Sequence, residues 1–315
     1  MPVASGRRAG IDVGGTKCLG VVWHDGTIEL EVRHDTPKGA DDIIETLISM
    51  IRELGEVDSV GIGVPGLVTR QGVLRAAPNL VDIADFAVGP ILRDVLQRDI
   101  AVENDATCAA VAEWSAGVAQ GVDDVVVVTL GTGIGGGLVS GGRLVRGTNG
   151  FAGEIGHMVV DPSGPKCVCG QRGCWERYAS GNGLAYLGAL AAERGQARMV
   201  QTLAGGITSI RGEHIREAAL LGDEEALAIV DEFARWVAIG LSNLTNLLDP
   251  SMLVIGGGLA GSGDLFLQPI QHWFGELLYS PELRPHPKLV LAKFAEHAGA
   301  IGAALLPEHA HVSDI

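Results

Sequence analysis

Between His157 and Glu176 the chain sets three cysteines, one histidine and one glutamate into twenty residues. Cys167-x-Cys169, with Cys174 five residues on and His157 upstream, makes a Cys3His set. That donor count and softness suit tetrahedral zinc. Gly164, Pro165, Gly170 and Gly173 are turn formers, which let a short knuckle close around an ion. Glu154 precedes the histidine and Glu176 follows the last cysteine, so ionisable oxygens bracket the clamp. Without metal the same residues would be reduced thiols in a tight loop. Cys-x-Cys does not match the Cys-x-x-Cys redox spacing, and the ligand set favours zinc.

Glycine loops supply a second chemistry. Asp12, Gly14, Gly15, Thr16 and Lys17 follow an apolar run. The stretch misses the Walker A order because Thr precedes Lys, and a strand follows it. Glycines still let backbone N–H groups approach phosphate oxygens, while Thr16 adds a hydroxyl and Lys17 a cation. Asp12 would repel phosphate, which implies a bridging Mg²⁺. Gly131-Thr132-Gly133, with Gly136, formally matches a dinucleotide fingerprint. The fingerprint needs a helix next, whereas alternating β-branched residues and a Gly141-Gly142 turn predict a hairpin. Either loop alone could be an ordinary hairpin turn. Two of them, with a third glycine run from Gly256 through Gly257, argue for phosphate binding. Asp105, in Glu103-Asn104-Asp105, fits a helix N-cap and equally a general base. Asn79 reads as a turn residue, and Cys18 and Cys108 as small buried apolar side chains.

The elements that must carry these groups alternate between strand and helix. A strand, the first glycine loop and a second strand turning at Asp25-Gly26 open the chain. Apolar spacing predicts a helix over 41–54, a buried strand from Ser59, helices over 89–98 and 106–117, and a strand at Ile100. A further buried strand from Val122 enters the second loop. Residues 183–248 read as mainly helical, with Asp223 as an N-cap and Asp249-Pro250 as a stop. Strands at Leu253 and Lys288 and a small-residue helix from Gly299 complete the pattern. The two glycine loops lie in similar strand–loop–strand settings, a weak internal repeat.

The bulk numbers narrow the class. The 315 residues are 47% apolar with a formal charge of −15. That balance opposes nucleic-acid binding, which needs a cationic face. The clustered cysteines do not read as a secreted disulfide framework, and no apolar run has membrane-spanning length. A cytoplasmic protein is expected.

The ordered motifs resemble the ROK family of sugar kinases and sugar-responsive repressors. They are Asp12 to Lys17, Gly63 to Gly66, Pro78-Asn79, Glu103 to Ala106, Leu130 to Gly137, Gly153 to His157, the cysteine knuckle through Glu176, and Gly256 to Gly258. Within the family the pattern is most similar to actinobacterial-type ATP-dependent glucokinases. The resemblance implies an α/β, actin-like ATPase (ribonuclease H-like) fold of two lobes with an interlobe active-site cleft. Residues 1–115 and about 299–315 would form a small lobe, and 116–298 a large one. It implies Asp105 as the base for the 6-hydroxyl of D-glucose. Gly66, Asn79, Asn104, Gly137, Glu154, His157 and Glu176 would surround the sugar. The first loop and Gly131 to Gly133 would hold the phosphates of ATP with Mg²⁺, and Gly256 and Gly257 the adenosine. His157, Cys167, Cys169 and Cys174 would bind structural Zn²⁺. Homodimers or tetramers are implied. Other acceptors are N-acetylglucosamine, N-acetylmannosamine, fructose or allose, and polyphosphate is another donor. A repressor role is disfavoured, since only eleven residues precede Asp12.

Overall fold

The computed structural model describes residues 6–77, 84–259, 261 and 263–309. Asn79 lies outside them. The apolar run before Asp12 forms β1 (Arg8–Val13), followed by β2 (Lys17–His24) and β3 (Thr27–Asp35). Asp25 and Gly26 turn β2 into β3 with positive φ of 47° and 79°, as a two-residue primed turn requires. The predicted helix becomes α1 (Ala40–Glu53), which buries Ile43, Leu47 and Met50. After β4 (Ser59–Val64) come three short strands, β5 (Leu67–Val68), β6 (Leu74–Ala76) and β7 (Ala84–Phe86), in an antiparallel sheet of their own. Then follow α2 (Val88–Leu96), β8 (Ile100–Asn104) and α3 (Asp105–Ser115).

The main sheet here runs β3-β2-β1-β4-β8, with β1, β4 and β8 parallel. Its register sets Asp12 beside Gly63 and Gly63 beside Glu103. Asp12 and the residues after Glu103 therefore reach the carboxyl edge of neighbouring parallel strands. Ligands of open α/β sheets bind at that edge.

The chain continues through β9 (Val125–Leu130), β10 (Ile134–Ser140) and β11 (Arg143–Leu144). Strand β10 follows the Gly131 loop directly, so the loop is a hairpin and not a dinucleotide fold's strand-to-helix turn. Helices α4 (Glu176–Ala179), α5 (Gly181–Glu193), α6 (Arg198–Ala204), α7 (Gly212–Leu220) and α8 (Glu224–Leu248) come next. Asp223 caps α8 by accepting from Ala226 N at 2.8 Å, and Asp249 ends it in the left-handed region. The last elements are β12 (Met252–Gly256), α9 (Asp264–Leu277), β13 (Lys288–Leu291) and α10 (Ala298–Leu305). The second large sheet runs β11-β10-β9-β12-β13. In chain order both sheets are third, second, first, fourth, fifth, so the weak sequence repeat is a repeat of topology.

The chain divides into two compact units. The first holds the described residues within Met1–Val127, Gly136–Gly153 and Glu296–Ile315, and the second holds Val128–Gly135 and Glu154–Ala295. In the first unit, α10 is entirely buried and built from Ala, Gly, Ile and Leu. A Cβ on Gly61 would lie 1.9 Å from the Ala303 carbonyl oxygen, and one on Gly10 2.0 Å from that of Ala300. Glycine on β4 and β1 thus lets the helix backbone lie directly on the sheet. In the second unit, α8 buries Phe233, Val237, Leu241 and Leu244. No described helix is long and apolar enough to cross a membrane. Gly61→Ala is expected to destabilise the chain by about 1–3 kcal/mol, the usual cost of overpacking. A urea midpoint unchanged from that of the parent would contradict this seating of α10.

Candidate active site

In the first unit, Asn104 is the last extended residue of β8, and it caps α3. Its Oδ1 accepts from Thr107 N at 3.0 Å, and its Nδ2 donates to the Gly66 carbonyl at 3.2 Å. The cap role open to Asp105 therefore belongs to Asn104. An N-cap must keep extended backbone, and Asp105 is already helical. Asp105 sits in the first turn of α3, where the helix dipole favours an anion, and its Oδ1 accepts from Ala106 N at 2.8 Å. Gly66 needs its φ of 101°, and a Cβ there would lie 2.1 Å from the Ala76 carbonyl.

Asp12 faces the same edge. Its Oδ1 is enclosed and has no hydrogen-bond partner among the described residues. The space around the carboxylate is kept by glycine: a Cβ on Gly299 would stand 2.5 Å from Asp12 Oδ2. Burial, and then the charge of Asp105, push the Asp12 carboxyl up to about 7. An enclosed carboxylate oxygen without a donor, beside a second carboxylate, fits a hard divalent cation. The first loop is a tight turn, with Gly14 N donating to the Lys17 carbonyl at 2.9 Å and Thr36 Oγ1 to the Gly14 carbonyl at 2.7 Å. Gly15, Thr16 and Lys17 are exposed on it.

Glu103 and Arg146 were not singled out from sequence. Glu103 is buried; its Oε1 accepts from Asn104 N at 2.9 Å, and its Oε2 from Arg146 Nε at 2.5 Å. Burial pushes its carboxyl up and Arg146 opposes this. Arg70 donates twice to the next carbonyl, Gly147, at 2.9 and 2.7 Å. Arg146 is thereby tied to the strand that delivers Asp105, and Gly147 to the turn after β5. A glutamate ending an apolar strand was the only available signal. Gly137 is also in this unit, buried so closely on α3 that a Cβ would lie 2.3 Å from Ala110 Cβ.

In the second unit, the ligand atoms of His157, Cys167, Cys169 and Cys174 all lie within 4.8 Å of one another. Cys169 Sγ is 3.5 Å from Cys174 Sγ, and Cys167 Sγ is 3.6 Å from His157 Nδ1. Sulfurs at zinc bond length in a tetrahedron are about 3.7 Å apart, so the set fits the ion. His157 turns Nδ1 to the cysteines and holds Nε2 3.8 Å from Glu154 Oε2. Glu176 Oε1 is 3.8 Å from His157 Nδ1 and 3.1 Å from Cys167 Sγ. A Cβ on Gly133 would stand 2.7 Å from Glu176 Oε2, so the glycine of the phosphate-type loop admits the carboxylate. Thr132 is exposed beside it. Gly181 N donates to the Gly131 carbonyl at 2.8 Å, and Leu259 N to that of Leu130 at 3.2 Å. Gly257, at φ 83°, packs against Leu130, so the Gly131 and Gly256 loops are neighbours.

A family model described as the ROK family matches residues 8–310. The chain belongs to the ROK family. Its mixed α/β architecture is the ribonuclease H-like fold of ROK kinases. It is 38% identical to a glucokinase of Streptomyces coelicolor, over 95% of this chain and 96% of that one. It is 37% identical to an N-acetyl-D-glucosamine kinase of Pectobacterium atrosepticum, over 94% and 97%. It superposes with a TM-score of 0.85 on a ROK glucokinase from Streptomyces griseus in complex with glucose and AMPPNP. That pair shares 38% identity over 96% of this chain and 99% of the other.

Within this ROK chain, Asp12 generates a pH prediction. Between its ordinary value of 3.8 and about 7, the folded chain holds the Asp12 proton more tightly than the unfolded chain. Stability contributed by that carboxyl therefore falls as pH rises through the window. In metal-free buffer, Asp12→Asn is expected to raise Tm at about pH 8 and hardly at all at about pH 4. Equal shifts at both pH values in thermal melts would contradict the burial cost assigned to Asp12.

Proposed function

We propose that this chain is an ATP-dependent glucokinase, transferring the γ-phosphoryl group of ATP to the 6-hydroxyl of D-glucose to give glucose 6-phosphate and ADP. The observation that carries the reading is the Asp105 carboxylate at the start of α3, on the same sheet edge as the donor-less oxygen of Asp12. The glucose- and AMPPNP-bound Streptomyces griseus relative supports it.

A sugar hydroxyl is a weak nucleophile and needs a base as its proton leaves. Asp105 takes that proton, the O6–phosphorus bond forms, and the bond from the γ-phosphorus to the bridging oxygen breaks with ADP as leaving group. Phosphoryl transfer otherwise depends on alignment and charge neutralisation. Gly14 N and Gly131 N are bonded within their own loops, to the Lys17 and Gly133 carbonyls. Gly15 and Thr16 of the first loop and Thr132 and Gly133 of the second would therefore offer backbone N–H groups to phosphate oxygens, while Gly256 and Gly257 admit the adenosine. Mg²⁺ held through Asp12 would supply neutralisation of phosphate charge. Ionised Glu154 and Glu176 are acceptors only, which suits adjacent sugar hydroxyls. The resemblance to ROK kinases assigns His157, Asn79, Asn104, Gly66 and Gly137 to the same sugar. Zn²⁺ held by His157, Cys167, Cys169 and Cys174 would be structural, because four protein ligands leave no open position. Bound there, it would fix the ring of His157 and, through Cys174, the start of α4.

A second reading is an N-acetylglucosamine kinase, favoured by the 37% identity to such an enzyme. Comparing kcat/KM for the two sugars with MgATP separates them: glucose is expected to be preferred, and a preference for the N-acetylhexosamine would replace the main reading. Asp105→Asn is expected to retain hexose binding by calorimetry and to lose at least about 100-fold in kcat. A near-normal rate would remove Asp105 as base. Cys169→Ser is expected to lower zinc content by elemental analysis and to raise the hexose KM. Full zinc retention with parental KM would refute the clamp.

A further inference from the structure

Glu176 is the first residue of α4, and its neighbour Trp175 has no exposed surface. The indole lies on one turn of α8. Trp175 Nε1 donates to the Trp236 carbonyl at 2.8 Å. Four residues on, at the position that completes this helical turn, stands Gly240. A Cβ there would fall 2.0, 2.3 and 2.4 Å from Cε2, Cζ2 and Cδ2 of the indole. Carbon atoms in contact need roughly 3.5–4.0 Å, so any side chain at this position would push the ring by about 1.5 Å. Glycine is unfavourable within a helix, yet Gly240 sits inside the long helix α8. Its reason is the indole and nothing in its own backbone, since its φ is not among the positive ones.

A second aromatic anchor grips the same turn. Tyr178 stacks on Trp236 with ring centroids 4.0 Å apart and 16° between planes, while its hydroxyl donates to Asp161 Oδ2 at 2.7 Å. Glu176 thus lies between two aromatic residues clamped on residues 236–240. Its backbone is held as well: Ser180 Oγ donates to the Glu176 carbonyl at 2.6 Å, and Trp175 N to the Met158 carbonyl at 2.8 Å. The carboxylate has little slack, with Cys167 Sγ 3.1 Å from one oxygen and Gly133 against the other.

We propose that Gly240 and Trp175 are positioning residues for hexose recognition, seating Glu176 against α8 so that its carboxylate meets the sugar. The zinc knuckle fixes this segment from one side, and the indole seat fixes it from the other. A displacement of about 1 Å at a substrate-holding group is enough to cost large factors. The inference rests on reading Glu176 as a ligand of the sugar.

The test is steady-state kinetics of the zinc-loaded enzyme with a Gly240→Ala variant. The hexose KM is expected to rise roughly 10-fold or more, the worth of one charged hydrogen bond. The KM for ATP and the zinc content per chain should stay at parental values, and kcat at saturating sugar should fall far less than KM rises. Trp175→Ala removes the ring that meets the new Cβ, so Trp175→Ala/Gly240→Ala should have a hexose KM no higher than Trp175→Ala alone. A parental hexose KM in Gly240→Ala overturns the proposal. So does an equal rise for both substrates with no relief in the double variant, the mark of general packing damage. If Gly240→Ala does not fold, Trp175→Phe alone decides: a raised hexose KM with kept kcat supports the seat, and an unchanged KM refutes it. If the parent phosphorylates no hexose, the kinase reading falls instead. A crystal structure of Gly240→Ala then decides the seat, through a displaced or undisplaced Glu176 carboxylate.

Discussion

Two carboxylates brought to one edge of a sheet set the terms for the first unit. Asp12 ends β1 and Asp105 follows β8, and the parallel pairing of β1, β4 and β8 leaves them no freedom to separate. Burial first, and then the like charge of Asp105, disfavour ionisation of Asp12. The arrangement is unfavourable in the isolated chain, and in the proposed function a cation and a proton-bearing substrate would offset that cost. The glycines at 10, 61 and 299 serve the same end, because they let α10 close on the strands without displacing Asp12. The buried Glu103–Arg146 pair adds a third constraint, tying the strand before Asp105 to Arg146. Removing one member of such a pair leaves a buried charge uncompensated, which is strongly destabilising.

The second unit solves a different problem: holding acceptor carboxylates in a segment with almost no regular structure. Residues 158–175 contain only isolated bridges, at Val159–Cys174 and Lys166–Arg172. A backbone so poor in ladders cannot fix Glu176 alone. The His157, Cys167, Cys169 and Cys174 cluster on one side and aromatic residues seated on α8 on the other supply what a sheet would otherwise give. Both kinds of support act over a few ångströms, so the carboxylate is placed by the side-chain cluster and by packing together.

Local signals were legible in the sequence where one residue type decides the outcome. Asp25-Gly26 and Gly141-Gly142 announced turns, Asp223 announced a cap, and the cysteine spacing announced the cluster that the fold brings together. The similar settings of the two glycine loops anticipated two sheets of the same order. Non-local pairings were not legible. Arg146 meets Glu103 across 43 residues, and nothing in either neighbourhood names the other. Asn104 rather than Asp105 caps α3 because strand pairing extends through Asn104, which a cap preference alone does not reveal. Helix α9 carries Pro269, a residue that breaks a helical pattern when read by itself. Gly240 lies within a stretch that the sequence marks only as helical, and nothing local ties it to the indole of Trp175 that takes up its space.

In the proposed function these two carboxylate settings serve phosphoryl transfer to a sugar hydroxyl and not to water. Phosphorus NMR of the chain with MgATP and D-glucose tests it most directly. The account predicts loss of the γ-phosphate signal matched by ADP and by one phosphomonoester resonance whose proton coupling assigns it to carbon 6. ATP consumed to inorganic phosphate, with no sugar ester formed, would contradict it.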